Sequence, residues 1–450
     1  MDERVRPSFH FTVRAGWTND PYGLVHHGGR YHLFFQYVPD ALAWAPNCHW
    51  GHASSDDLIA WTEEEVALTP RSGEVGCWSG SVVLDGDVPT MLYTRIATSD
   101  WGQGQVALAR GDDSLATWRR EPEPPVIAGP PPELAGTAFR DPFVWREPDG
   151  WKLVIGIGLP GGTGAALQYT SDDLLQWSYS GVLAQKNTAD TEGAWTGQLW
   201  ECPQLFALDG SWVLLVSVWE GDVLHYVAYA VGDYDGRVFN PRRWGRFSQG
   251  GQLYASSAFL DAEGRRCVMS WFREAVPVQA DRSPYASAVS LPHTLHRDGD
   301  RVWAEPHPNL SARWRESRTW DAPDPAGGPV MTDRLPFAAQ LVLTYRLPSG
   351  GRITLTRSGP DGAVSLVIDL DVAPAGGTVR GRDGEGRELF STELHHPAGV
   401  LTAVLDADLL ELSGAGIDGI AAVRIPARDG ARLLLEVIGD GATAALQALT

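Results

Sequence analysis

No apolar run in this 450-residue chain approaches the roughly 20 residues that a membrane-spanning helix needs. The N-terminal MDERVRPSFHF carries charges where a signal peptide would carry its apolar segment, which predicts a cytoplasmic protein. Positive charge is in short supply: 36 Lys and Arg face 56 Asp and Glu, a net charge of −20 with histidine neutral. Such a balance repels phosphate backbones and anionic lipid, so neither nucleic acid nor membrane is an expected partner. Cysteine is also scarce. Cys48, Cys77, Cys202 and Cys267 lie far apart and fit neither a disulfide framework nor a zinc spacing, so they read as reduced, mostly buried thiols. A zinc ion on Cys48, His49 and His52 is disfavoured because two adjacent residues cannot readily grip one ion. Helical periodicity is hard to find, whereas Gly, Pro and Asp punctuate the chain throughout.

What the chain does have is apolar content of 43% and 19 tryptophans. The first excludes a disordered chain, and the length predicts about two domains. The tryptophans are expected mostly in inter-strand packing, with a few offering aromatic faces to a sugar. Three segments echo one another: SSDDLIAW, GDDSLATW and TSDDLLQW, ending at Trp61, Trp118 and Trp177, with a fainter fourth in GDYDGRVFNPRRW. Each follows a β-rich run such as YHLFFQYV, TMLYTRIA or WKLVIGIG. The paired aspartates suit turns, and the closing tryptophan can pin the turn onto its own sheet. A unit of about 60 residues with four short strands is a propeller blade, and residues 1–298 have room for five. The stretch 299–322, around RVWAEPHPNLSARWRESRTW, reads as a linker with the best short-helix candidate in the chain. Residues 323–450 alternate as QLVLTYRL, GRITLTRS, AVSLVIDLDV and ARLLLEVIG, the pattern of an antiparallel β-sandwich with a structural role. The fold class is therefore all-β: a five-bladed β-propeller followed by a β-sandwich.

A propeller gathers function at one end of its channel, where the first strands of successive blades converge. Asp20 in WTNDPYG, Asp141 in AFRDPFVW and Glu201 in LWECPQLF each precede a proline directly or by one residue. Any one of them alone reads as turn material; recurrence in successive blades points to a catalytic set. Glu201, among apolar neighbours, suits a proton donor, and Asp141, beside Arg140, is expected to stay ionised. His26, His27, His49 and His52 are given structural hydrogen-bonding roles, because three carboxylates already cover the chemistry.

These motifs resemble those of glycoside hydrolase family 32, the β-fructofuranosidases. WTNDPYG is similar to the family's nucleophile motif, FRDP to its second acidic motif and WECP to its acid/base motif. YHLFFQYVPD, HWGHASSDDLIAW and CWSGSVV also match in order and spacing, and VLDADLLELS resembles a strand pair of the family's C-terminal sandwich. The resemblance implies a retaining hydrolase of terminal β-D-fructofuranosyl residues in sucrose or fructo-oligosaccharides. Asp20 would be the nucleophile, Glu201 the acid/base, and Asp141 a hydroxyl-holding, transition-state-stabilising acid beside Arg140. Retention requires the two working carboxyl groups to lie about 5 to 5.5 Å apart. By the same resemblance Asn19, Gln36 and Ser79 contact substrate, Trp44 and Trp78 are aromatic walls, and Trp271 stands at the pocket rim. No metal and no organic cofactor is implied, since carboxylates supply both nucleophile and proton.

The chain departs from the family at Thr18 and Tyr22, usually methionine and asparagine, and at Ser248 and Gln252, usually aspartates. The latter pair is expected to remove negative charge beside the pocket. The alternatives are a fructosyltransferase using the same residues, a non-catalytic sugar-binding propeller, and an arabinan-type glycosidase, against which WSGS and WECP argue.

Overall fold

A computed structural model describes residues 4–121, 124–322, 329–373 and 376–450. Five sheets, each built on four antiparallel strands, follow one another along the chain; the first and fifth each add a two-residue strand, Tyr285–Ala286 and Ala288–Val289. Blade I runs Gly16–His27, Arg30–Val38, His49–Ser55 and Trp61–Glu63. Blade II runs Gly76–Asp85, Val88–Ile96, Gln105–Gly111 and Trp118–Arg120. Thr137–Glu147, Gly150–Leu159, Thr163–Ser171 and Ser178–Asn187 form blade III. Blade IV comprises Leu199–Leu208, Ser211–Glu220, Val223–Tyr234 and Phe239–Arg246, and blade V comprises Leu253–Leu260, Arg266–Phe272, His293–Asp298 and Arg301–Pro306. The first strand of each blade packs on the first strand of the next, and those of blades I and V also meet, which closes the ring into a five-bladed propeller. Apolar side chains on facing sheets fill the space between blades: Leu92 and Val106 of blade II share a core cluster with Leu153 and Ile155 of blade III.

The three sequence echoes form one repeated device between the third and fourth strands of blades I to III. An aspartate carboxylate closes the turn by accepting backbone N–H bonds: Asp57 from Ile59 and Ala60, Asp112 from Ser114 and Ala116, Asp173 from Leu175 and Gln176. A leucine, directly after the aspartate at Leu58 and Leu174 and three residues after it at Leu115, takes positive φ and is fully buried. The tryptophan indole N–H then donates to that leucine's carbonyl, at 2.9 Å for Trp61 and Trp118 and 2.8 Å for Trp177. Leucine tolerates the left-handed backbone because its burial and its carbonyl bond offset the strain. In the fainter echo of blade IV, Asp235 closes its turn in the same way onto Arg237 and Val238.

The C-terminal part is a β-sandwich of a seven-stranded and a six-stranded sheet, which bury Leu341, Leu343, Ile353, Leu355, Ile368 and Leu435 between them. The stretch 299–322 differs from a linker. It holds the outer strand of blade V, Arg301–Pro306, a four-residue helix, Pro308–Ser311, and the edge strand Ser317–Ala322, which pairs with Thr443–Leu449 of the sandwich. Its polarity belongs to edge strands with one solvated face, which periodicity cannot separate from a linker. Propeller and sandwich also share a sheet: Ser248–Gln249 pairs in parallel with Ile420–Ala421.

Candidate active site

Every inner strand breaks its pairing register near one end of the channel. The breaks fall at Thr18/Pro21, Trp78/Gly80, between Arg140 and Phe143, at Glu201/Gln204 and at Tyr254/Ser257. A bulge re-aims the side chains at its edge, and here it turns them into the channel. Pro21, Pro142 and Pro203 occupy three of these breaks, where the ladder demands no N–H from them. Asp141, Cys202 and Ala255 hold positive φ at the corresponding points of blades III, IV and V. In WSGS, a Cβ on Gly80 would stand 2.0 Å from the carbonyl oxygen of Leu92, so only glycine lets the strands approach.

The bulges converge on a cavity of about 430 Å³, in the range of small-ligand sites. Asn19, Asp20, Gln36, Trp44, Trp78, Arg140, Asp141, Glu201 and Trp271 all line it. Ser79 lies buried just behind, bonded to Asp20 and Gln36. Trp101, Ala138, Trp219, Asp222, Leu224 and Tyr254 also line the cavity and escaped the sequence reading. Tyr254 stands just before the register break of the inner strand of blade V, the position that Glu201 holds in blade IV. Trp101, Trp219 and Asp222 sit on or beside loops, whose shape no periodicity encodes.

Asp20 is held from several sides. Asn19 Nδ2 donates to Oδ1 at 3.0 Å, while Gln36 Nε2 at 3.2 Å and the Ser79 hydroxyl at 2.7 Å donate to Oδ2. Gln36 Nε2 also donates to Ser79 Oγ at 2.6 Å, and Asn19 Nδ2 to Gln36 Oε1 at 3.2 Å, so each donor is itself positioned. Desolvation and the nearby Glu201 charge push the Asp20 carboxyl upward, against the Ser79 and Asn19 hydrogen bonds. Asp141 accepts the Cys202 N–H at 2.9 Å, and its own N–H donates to Thr94 Oγ1 at 2.8 Å. The Cys202 thiol bridges Asp20 and Asp141, with Sγ 3.7 Å from an oxygen of each.

The expectation that Arg140 keeps Asp141 ionised needs correction. The guanidinium turns to Glu201, with Nη2 2.5 Å from Oε1, and only Nε approaches Asp141, at 3.9 Å. Burial, partly offset by Arg140 and reinforced by Asp20 and Glu201, pushes Asp141 up to about 7. At this register break Arg140 and Asp141 both reach the cavity, and the close partner of the guanidinium comes from the next blade, so sequence adjacency gave the wrong partner. The other oxygen of Glu201 accepts the Tyr254 hydroxyl at 2.5 Å.

The departures are accommodated. Thr18 is fully buried under Gln36, and Tyr22 packs on Trp50 with ring centroids 4.3 Å apart, behind the pocket wall. Ser248 is a strut, accepting from Val227 N and donating to the Leu253 carbonyl. Neither Ser248 nor Gln252 lines the cavity. His32 and His52 stack and share a hydrogen bond of 3.0 Å in blade I, and His26, His27 and His49 are likewise outside the cavity lining.

A carboxylate locked by three donors, facing a second carboxyl held by a cation and a phenol, is suited to attack at carbon on one side and proton transfer on the other. The sequence profile of the Glycosyl hydrolases family 32 N-terminal domain matches residues 10–306. The chain belongs to glycoside hydrolase family 32. Among its family 32 relatives, the sucrose-6-phosphate hydrolase of Escherichia coli is 34% identical over 67% of this chain and 64% of its own length. The levanase of Bacillus subtilis is 35% identical over 71% of this chain and 49% of its own. The chain thus spans about half to two thirds of the length of these curated relatives. A Bombyx mori GH32 β-fructofuranosidase, solved in complex with sucrose, superposes with a TM-score of 0.82 at 26% identity, covering 99% of this chain and 93% of that one.

Proposed function

We propose that this family 32 chain is a retaining β-fructofuranosidase that hydrolyses terminal fructosyl residues of sucrose or short fructo-oligosaccharides. The observation that carries the reading is the convergence of Asp20, Asp141 and Glu201 on one aromatic-walled cavity of sugar size. Asp20 attacks C2 of the fructosyl unit as Glu201 gives its proton to the departing glycosidic oxygen. The C2–O bond breaks and a covalent fructosyl ester forms on Asp20. Glu201, now a carboxylate, takes a proton from water, which attacks C2, releases fructose and restores both groups. Asn19, Gln36 and Ser79 hold the nucleophile, and Asp141 and Arg140 grip fructose hydroxyls as charge develops at C2. Trp44, Trp78 and Trp271 form the apolar walls against which sugar faces pack.

Pure protein should release fructose from sucrose or kestose, with the β-anomer appearing first by NMR. Absence of release from sucrose, kestose, inulin and levan would overturn the reading, and first appearance of the inverted anomer would overturn its mechanism. Oligosaccharides outweighing free fructose at high sucrose would assign the second step to a sugar hydroxyl in place of water.

A further inference from the structure

Asp222 sits in the turn between strands Ser211–Glu220 and Val223–Tyr234 and lines the same cavity as Glu201. Trp219 pairs with Leu199, two residues before Glu201 on the inner strand, so this turn overhangs the cavity mouth from the blade that carries Glu201. Its backbone is left-handed, with φ 62°, and the residue is exposed. Among the described residues none forms a hydrogen bond or ion pair with its carboxylate, which is left for a ligand. Across the channel, Trp44 and Trp101 are 39% and 41% exposed and meet edge to face at 5.6 Å, an apolar wall without charge.

The charge inventory of the lining is one-sided. Four carboxyl residues, Asp20, Asp141, Glu201 and Asp222, stand against a single cation, Arg140, which Glu201 already engages. The neighbouring Arg273 is committed elsewhere: its guanidinium donates to the carbonyls of Leu224, His225 and Gly251 and lies over the Tyr254 ring. A phosphorylated leaving group needs a cation that could pair with its dianion, and would meet an unpaired carboxylate instead. A neutral sugar offers hydroxyl donors that an acceptor-only carboxylate can use.

We propose that Asp222 is a specificity-determining residue on the leaving-group side, which accepts hydroxyl hydrogen bonds from an unphosphorylated sugar and disfavours a phosphorylated one. This inference rests on the fructosidase reading. Asp222 lies at a position no motif marks.

The test compares kcat/KM for sucrose and sucrose 6-phosphate in the wild type, Asp222→Asn and Asp222→Lys. Asparagine accepts the left-handed turn as readily as aspartate, so the fold is preserved. The wild type should favour sucrose by at least about tenfold at low salt, and Asp222→Asn should narrow that ratio about tenfold, chiefly through KM for the phosphorylated sugar. Asp222→Lys should narrow it further. Added salt should narrow the ratio in the wild type more than in Asp222→Asn. Equal or better use of sucrose 6-phosphate by the wild type, or a ratio unmoved by both substitutions, would overturn the inference while leaving the fructosidase reading intact. Absence of fructose release from either sugar and from kestose would overturn both.

Discussion

Asp141 gives up stability for its place in the pocket. Its carboxyl is pushed from the usual 3.8 up to about 7 inside the fold, chiefly by burial. Between those two values the unfolded chain has released a proton that the folded chain keeps, so stability falls as pH rises through this window. Asp141→Asn removes the penalty while its side-chain oxygen can still accept the Cys202 N–H. Thermal denaturation at pH 7 should show Asp141→Asn more stable than wild type, on the order of 2 kcal/mol, with fructose release lost. An unchanged or lower Tm would contradict the burial argument. Asp20→Asn should lower kcat by several orders of magnitude with the fold intact by circular dichroism, because an amide cannot form the ester; near-native turnover would reject Asp20 as nucleophile. Ser79→Ala should be milder, about ten- to a hundredfold in kcat/KM, since Gln36 and Asn19 still hold the carboxylate. At this scale the three acids were legible because each precedes a proline directly or by one residue in an aromatic setting. The partner of Arg140 was not, because it is contributed from 61 residues away.

The repeating element is the Asp–Leu–Trp turn, which three blades build from the same parts. Trp177→Phe keeps most of the packing and deletes one indole N–H bond to Leu174, so it should cost about 1 kcal/mol in urea unfolding without altering kcat/KM. A change in kcat/KM would mean that the outer turn communicates with the channel. Leu174→Ala should cost more, about 2 to 4 kcal/mol, because it empties a fully buried site. These turns could be read in advance, since aspartate, leucine and tryptophan lie within a few residues of one another and the interactions are local. The bulges that aim the site could not. WTNDPYG looks like a simple turn, whereas Asn19 and Asp20 sit at a register break within the inner strand Gly16–His27. At Gly23, φ is +58°, and a Cβ would stand 2.8 Å from Val82 of the next blade. A register break depends on the neighbouring strand as much as on the residues that occupy it.

Across the whole molecule, propeller and sandwich are clamped by a buried ionic cluster. Asp406 of the sandwich accepts the backbone N–H groups of Ser8, Phe9 and His10, at 2.7, 2.8 and 3.0 Å. His10 places Nδ1 2.9 Å from Asp406 and Nε2 3.1 Å from Glu411. Burial alone would lower the imidazole, but its hydrogen bonds to the two acids raise it from 6.5 to about 9. The facing His293 is lowered by its own burial, and Asp406 is held low by His10 against the opposing effect of burial. The His10 contribution is therefore fully present below about pH 6.5 and is lost as pH rises through about 9. Tm should fall over this window in the wild type, and the fall should be shallower in His10→Gln. Equal slopes would remove His10 from the clamp. Nothing in SFHF or VLDADLLELS pairs these segments in advance, because the contact closes a loop of nearly 400 residues.

The sequence by itself determined the strand-rich architecture, the five-blade count, the sandwich and the placing of Asp20, Asp141 and Glu201 at one end of the channel. Those follow from period-two alternation, local turn chemistry and recurring motifs, all of which act over a few residues. Tertiary structure decided which carboxyl Arg140 engages, that the 299–322 stretch is strand at both ends, that Ser248 is a strut rather than a pocket residue, and that Tyr254, Trp101 and Asp222 complete the cavity. These are contacts between separate blades or between propeller and sandwich. Their energies depend on distance and burial in three dimensions, and a one-dimensional pattern carries neither.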